Sequence, residues 1–409
     1  MAMSEPGPVP TSRETTAAST DEQHEQREQA QELPPALPLQ EALSLVKLPL
    51  SGSGETRRFI SRRAAYRPGC DFGSDFDMST LHANAFGGHV YAQAAIAAAR
   101  VYREVEREKG IVKEEERSYL HTITGFFTRP GIPSRPFLYF TTPLTSSKTF
   151  GTVSVTAHQP SEPSTNPAGD HFPAAADAAL PLSPPSFVAV CSFKRGEPDS
   201  CGVSAQEPPP QERFAEILAS RARPEDWPPA PPVDITAVVE MMGADREGRF
   251  PVAEMRKVDM SGYNQGRPVW ERVELLLYKL RQQQPQAGKE AEAEGEEKEE
   301  WDANAHIAAH AYVADRNGLL VAGNHVGFGY SLGRAATLSY TFVVHVNAEQ
   351  AVMREEDGWW IQEMRFPRVG AGRGIVESKI WSPRGVHVAT EYQDGLIQGW
   401  EKREEGARL

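Results

Sequence analysis

Three cysteines among 409 residues leave little for covalent or metal chemistry to use. Cys70, Cys191 and Cys201 show neither a pairing pattern nor metal-ligand spacing, and an odd, sparse set suits a reducing compartment. Positive charge is also short. The chain has 43 Lys and Arg against 56 Asp and Glu, a formal net charge of -13, which argues against nucleic acid or an anionic membrane as partner. No apolar run is long enough to span a bilayer, and the opening MAMSEPGPVP has no hydrophobic signal core. Much of the acidic excess lies in one run from Lys289 to Asp302, KEAEAEGEEKEEWD, read as a solvated insertion.

What is present suffices for two domains with real cores. Residues 1–38 are Ser/Thr/Glu/Gln/Pro-rich without aliphatic pattern and read as disordered. A first domain is expected over 39–195: a short amphipathic helix at 39–46, a strand from Arg58 to Tyr66, and an Ala-rich helix from Asn84 to Arg103. Strands follow at Ile123–Thr128, Phe137–Pro143, Thr149–His158 and Ser186–Lys194. An uncharged Pro/Ser/Ala-rich loop insertion, 159–185, precedes the last of these. Residues 196–248 read as a Pro-rich linker, with a short helix at Glu212–Ala222. The pattern then recurs over 249–400. A strand at Val269–Leu280, the acidic insertion 282–302 and a small-residue helix at Ala303–Ala322 lead to strands at Ala336–Asn347, Trp359–Phe366, Gly374–Ser382 and Val386–Ile397. Residues 401–409 form a tail. Strand, small-residue helix and four strands, given twice, predict a tandem duplication. A helix with apolar surface all round needs an antiparallel sheet curved about it, and two such sheets can join at their edges.

One stretch inside the second helix stands out, HIAAHAYVADRNGLL from His306 to Leu320. Asp315 lies four residues from Ala311 and four from Leu319, at the edge of an apolar stripe. Burial there would raise its pKa toward that of a working general base. Asp-Arg-Asn-Gly is equally a turn sequence, with Asn317-Gly318 suited to positive φ. Locally the turn is the stronger reading.

The residues resemble the acyl-CoA thioesterase II family, which includes bacterial thioesterase II and peroxisomal acyl-CoA thioesterases. Phe86-Gly87-Gly88-His89-Val90 with Gln93-Ala94 is similar to that family's first helix entry, and Phe127-Thr128-Arg129-Pro130-Gly131 to a strand end. In the second half the similarity rests on Ala311-Tyr312-Val313-Ala314-Asp315, on Ala336-Thr337, and on Gly385 to Thr390 with Gln393-Asp394-Gly395. The resemblance runs from about Leu39 to Trp400. It implies an α+β tandem (double) hot-dog, two antiparallel sheets each wrapped round a central helix and joined edge to edge. It also implies a cofactor-free hydrolysis of fatty acyl-CoA, in which Asp315, Thr337 and Gln393 hold and activate water. The chain departs from the family pattern where Thr124 replaces a His, where Thr145 to Thr149 replaces an Arg-Asp-Gly turn, and where Ser339-Tyr340 replaces an acidic-His pair.

Thioester hydrolysis needs an aligned water, a base and donors for the developing oxyanion. Asp315 is the expected proton acceptor, Thr337 a hydroxyl relay, and Gln393 the orienting amide. On strand alternation Thr337, Ser339 and Thr341 share the more polar face. Singly, a strand Thr answers to β-propensity and a strand Gln to solvent exposure; as an ordered set they point to the site. Gly87 and Gly88, at a helix start, are the expected approach for the substrate carbonyl, against a plain packing role. Arg373, in the turn Gly372-Arg373-Gly374, is the candidate contact for CoA phosphates, against the plainer reading of a solvated turn residue.

Rival chemistries are visible as well. Gly329-Tyr330-Ser331-Leu332-Gly333 fits the nucleophile-elbow spacing and would make Ser331 a serine-type nucleophile, but no strand-to-helix context surrounds it. His306 and His310 before Asp315 would suit a hydratase, and a non-catalytic acyl-CoA-binding protein would keep the fold alone. The expected partners are the acyl-CoA substrate and a peroxisomal import receptor, because Ala407-Arg408-Leu409 is of the S-K-L type; the peroxisomal matrix is thus the expected location, with the cytoplasm as alternative. Homo-oligomers are compatible with the pattern.

Overall fold

The computed structural model describes residues 36–50, 55–70, 84–111, 113, 116–166, 171–197, 205–243, 248–281 and 302–399. Apart from residues at their borders, the expected disordered start, the acidic insertion and the tail bearing Ala407-Arg408-Leu409 lie outside the described residues. Strands β1 (Leu45–Lys47) and β2 (Arg57–Ser61) precede helix α1 (Gly87–Glu108). Strands β3 (Ser118–Phe127), β4 (Leu138–Ser146), β5 (Phe150–His158) and β6 (Phe187–Arg195) follow it. The second half repeats the order. It runs β7 (Ala253–Lys257), β8 (Val273–Leu280), helices α2 (Ala303–Ala314) and α3 (Gly318–His325), then β9 (Leu332–Val344), β10 (Trp360–Gly370), β11 (Arg373–Trp381) and β12 (His387–Gly399).

Among the described residues, the twelve strands form one antiparallel sheet in the order β1-β2-β4-β5-β6-β3-β9-β12-β11-β10-β8-β7. The halves join where β3 lies beside β9, from Thr122 opposite Val343 to Phe126 opposite Ser339. This is the tandem hot-dog. It differs from the expectation in that two strands, not one, precede each helix: β7 was not anticipated, and the helix expected at 39–46 keeps a single turn, Leu39–Ala42, before β1 begins.

Small residues let the sheet close on the helices. In α1, Ala92, Ala94, Ala95, Ala97 and Ala98 are fully buried. On β5, Val153, Val155 and Ala157 turn inward on alternate positions. Gly151 continues that face, and a Cβ there would stand 2.0 Å from the Tyr102 ring. The absent side chain lets Tyr102 stack on Phe193, with centroids 4.4 Å apart.

The second helix does not run through to Ala322 as expected. It stops at Ala314, Asn317 takes a left-handed φ of 59°, and α3 starts at Gly318. Helix ends leave carbonyls without intrahelical donors, and here the sheet supplies them. The Tyr340 hydroxyl donates to the Ala311 carbonyl at 3.1 Å and Gln362 Nε2 to the Ala314 carbonyl at 2.8 Å. Outside the turn, Arg316 and Asn317 both donate to the Pro231 carbonyl at 2.9 Å.

Pro231 belongs to the Pro-rich segment expected to link the halves, and that segment is packed. Phe214 and Trp227 are buried with Val273, Leu275, Leu277, Ile361 and Trp381 in a second core on the outer face of the sheet. As a result β8 is buried on both faces, with Leu276 and Tyr278 in the main core. The short helix expected at Glu212–Ala222 is two single turns, Pro210–Arg213 and Ala215–Leu218. Arg213 anchors them. Its guanidinium pairs with Glu363, which is fully buried and also accepts from Trp381 Nε1 at 3.0 Å. Arg365 also donates to Glu363, at 3.0 and 2.9 Å, so Arg213→Met leaves that carboxylate one cation and removes charge-assisted hydrogen bonds, and should lower the unfolding free energy by about 2 kcal/mol, read from urea denaturation. An unchanged midpoint would show that the segment is held by its apolar contacts alone.

Candidate active site

Asp315, Thr337 and Gln393 meet at the seam. Asp315 sits at the break between α2 and α3, and its side chain reaches across to the other half. Gly88 N, in the first turn of α1, donates to Asp315 Oδ2 at 2.7 Å. Thr337 Oγ1 donates to Asp315 Oδ1 at 3.2 Å, and Gln393 Nε2 donates to the same oxygen and to Thr337 Oγ1, the latter at 2.7 Å. Gln393 Oε1, on a residue 2% exposed, has no donor among the described residues.

A register shift puts Thr337 there. Ser339 faces Asp394 on β12 but Thr337 faces Gly395, so Leu338 is an extra residue. One extra residue inverts the alternation beyond it. The expectation of a shared polar face with Ser339 and Thr341 is thereby corrected: Thr337 turns to the helix side, the side of the buried Tyr340 and Phe342. On β12, Glu391, Gln393 and Gly395 share that inner face. At Gly395 a Cβ would stand 2.3 Å from Leu319 Cδ1, so the glycine lets α3 lie against the strand.

Burial sets the chemistry of the acid. Asp315 is 7% exposed, and desolvation pushes its pKa up to about 7, against the opposing effect of the hydrogen bonds from Gly88, Thr337 and Gln393. Its place at the carboxy-terminal end of α2 disfavours negative charge, while the amino-terminal end of α1 favours it. Glu391, fully buried, opposite Ser378 in register, has its pKa pushed well above the ordinary range, by desolvation first and by Asp315 second. Burial and the neighbouring acid thus both favour the protonated form of Glu391. Tyr91 and Tyr340, stacked with centroids 3.7 Å apart, are buried beside both acids.

The acid opens on a cavity of about 320 Å³, far more than the roughly 10–15 Å³ that one water needs. Its walls are largely apolar, from Phe86, Val90, Phe137, Leu320 and Leu396, with Asp315, Thr337 and Gln393 set into them. Gly87 lines it, and a Cβ there would stand 3.0 Å from Asp315 Oδ2. Gly88 does not line it. Its amide is taken by Asp315, and its missing side chain makes room for the Phe86 ring and the Tyr312 carbonyl. Arg373 lies elsewhere, paired with Asp394 and lining a second hollow with Val326, Phe328 and Gly399.

The rival residues stay outside the cavity. Ser331 ends an exposed 3-10 turn just before β9. His310 contacts the Tyr278 hydroxyl at 2.7 Å and the Ala351 carbonyl at 2.8 Å, and His306 Nδ1 accepts from Met353 N. Among the described residues no histidine lines the cavity. Sequence reasoning missed Gly88 N as a partner of Asp315, since a backbone amide leaves no residue signature. It also missed Glu391, although Glu391-x-Gln393 at strand spacing was a signal of a polar inner face.

The fold is a tandem hot-dog with a buried polar cluster at the seam of its two halves. Residues 75–169 match the family model for the acyl-CoA thioesterase N-terminal domain, and residues 224–397 that for the C-terminal domain. The chain belongs to the acyl-CoA thioesterase family and is a thioester hydrolase. Human acyl-coenzyme A thioesterase 8 is 23% identical over 315 residues, 76% of this chain and 80% of that protein. Among solved structures, acyl-CoA thioesterase II TesB2 from Mycobacterium marinum superposes with a TM-score of 0.52 at 19% identity, covering 89% of this chain and 99% of that one. A hot-dog protein of unknown function from Alicyclobacillus acidocaldarius gives 0.51 at 14% identity, covering 89% and 98%. At these identities the two structures speak for the fold.

A raised carboxyl pKa has a definite sign for stability. Below the unfolded value of about 3.9 the group is neutral in both states. As pH rises toward about 7 the unfolded chain gains by ionising first, and stability is lost. Asp315→Asn should therefore gain stability relative to the parent between pH 4 and 7 and hold that advantage above 7. Urea midpoints across the range would show it; a difference independent of pH would place an ordinary, solvated acid at this position.

Proposed function

We propose that the protein hydrolyses fatty acyl-CoA to free acid and CoA by direct attack of a water that Asp315 deprotonates and that Thr337 and Gln393 orient. The observation that carries this reading is Gln393 Oε1, buried, without a donor and beside the Asp315 carboxylate. A water donating to that oxygen has its second proton within reach of Asp315, while the carboxylate's other donors are fixed by the protein. Apolar walls suit an aliphatic acyl chain, and the family supports a CoA thioester as the substrate class.

The steps balance without a cofactor. The water oxygen bonds to the thioester carbon as its proton passes to Asp315, and the carbonyl electron pair moves onto oxygen. The tetrahedral intermediate collapses, the carbon–sulfur bond breaks, and the CoA sulfur takes the proton back from Asp315. A base with a pKa of about 7 is matched to this exchange near neutrality. Thr337 accepts from Gln393 and donates to Asp315, which fixes the carboxamide so that its oxygen faces the water.

Thiol release from a series of short, medium and long acyl-CoAs tests the reading. A general base contributes on the order of 10²–10⁴ in rate, so Asp315→Asn should lower kcat by about 10³ with KM little changed. Gln393→Leu should act in the same direction, and Ser331→Ala should leave turnover intact. Undiminished turnover in a folded Asp315→Asn would exclude the mechanism.

A further inference from the structure

The oxyanion that forms in such a reaction needs donors that the acid is not already using. Gly88 N, at the helix start where such a donor was expected, is committed to Asp315 Oδ2 at 2.7 Å. A second helix start opens on the same cavity. Asn317, Gly318, Leu319 and Leu320 all line it, and Gly318 is the first residue of the eight-residue α3. The first amides of a helix have no intrahelical acceptor, and they point back along the axis with the positive end of its dipole. Val321 N is the first to close a turn, on the Asn317 carbonyl at 2.9 Å. Asn317 caps with no side-chain bond, and its Nδ2 donates outward to the Pro231 carbonyl. The amides of Gly318 and Leu319 have no acceptor among the described residues.

An independent observation points to a donor beside this helix start. The Gln393 side-chain oxygen, 98% buried from solvent by its 2% exposure, is unpartnered and lies 3.2 Å from where a Gly318 Cβ would stand. The same Cβ would be 3.0 Å from Val376 Cγ1. A glycine at this position therefore lets the carboxamide and Val376 pack close against the start of α3. A water donating to Gln393 Oε1, the nucleophile of the reading above, would therefore lie beside the start of α3, where the free amides can meet the oxygen of the carbonyl it attacks.

Resting on the hydrolytic reading above, we infer that the main-chain amides of Gly318 and Leu319 receive the thioester oxygen as it becomes an oxyanion. The two helix starts then divide the work: α1 holds the base and α3 receives the charge that the base creates. The Asp315-Arg316-Asn317 turn is what makes this geometry, because an unbroken helix would tie those amides to the carbonyls of residues 314 and 315.

Replacing an amide by an ester removes the N–H and keeps the side chain. Chains carrying glycolic acid at 318 or leucic acid at 319 should lose on the order of 10²-fold in kcat, with KM within a few-fold of the parent. Lactic acid at 322 removes an interior helical hydrogen bond at no cavity atom, and should leave kcat within a few-fold. Leu319→Pro, acceptable in a first helical turn, is the genetically encoded counterpart and should show the same fall in kcat. Esters at 318 and 319 that keep full kcat would overturn the assignment. So would an equal loss at 322, or a loss confined to glycolic acid at 87. Hydrolysis by the parent, abolished by Asp315→Asn, keeps the two claims apart: if it is present and the esters are silent, only the oxyanion assignment falls, whereas a parent that releases no CoA takes both down.

Discussion

A single hydrogen bond across the two halves, from the Gly88 amide to the Asp315 carboxylate at 2.7 Å, is the contact on which the rest of the arrangement depends. It places an acid from the second repeat at the amino-terminal end of the first repeat's helix. An acid at the carboxy-terminal end of its own helix and 7% exposed is in an unfavourable position for a charge. The amide, with Thr337 and Gln393, makes ionisation possible near neutrality without making it easy. A carboxylate in that balance is a usable base; one fully solvated would be a weak base, and one fully stripped of donors would stay protonated.

The duplicated sheet supplies the means. Two helices wrapped by one sheet bring their ends together at the seam, because β3 and β9 pair antiparallel there. Three local departures from regularity then aim the groups. The second helix breaks at Asp315, with its freed carbonyls answered by Tyr340 and Gln362. The extra residue Leu338 turns Thr337 inward. The Pro-rich segment clamps the break from outside through Arg316 and Asn317. Each departure costs regular hydrogen bonding, and each is offset by a side chain from a neighbouring element, as is common where structure serves chemistry.

Much of this was legible in the residues. Runs of alanine marked the wrapped helices, alternation marked the strands, and the resemblance to the acyl-CoA thioesterase II family pointed to Asp315, Thr337 and Gln393 as a set. The parts that were hidden share one cause: they are relations between distant segments. A bulge at Leu338 depends on its partner strand, so alternation alone put Thr337 on the wrong face. Asn317-Gly318 was read as turn chemistry, and the turn is there, but apolar residues on both sides carried the helical period straight through it. Arg373 read as a phosphate contact or a solvated turn residue, whereas its partner is Asp394, two positions along β12 from Leu396, the residue opposite it. The Pro-rich segment looked like a linker although Phe214 and Trp227, two large apolar residues, signalled that it would be buried.

The central claim concerns the state of one carboxyl group, and it can be observed without turnover. In protein labelled with carbon-13 at aspartate side chains, the Asp315 carboxyl resonance, assigned by its absence in Asp315→Asn, should titrate with a midpoint of about 7. A midpoint near 4, the ordinary aspartate value of about 3.9, would mean that the group is solvated and that the seam does not hold it as described.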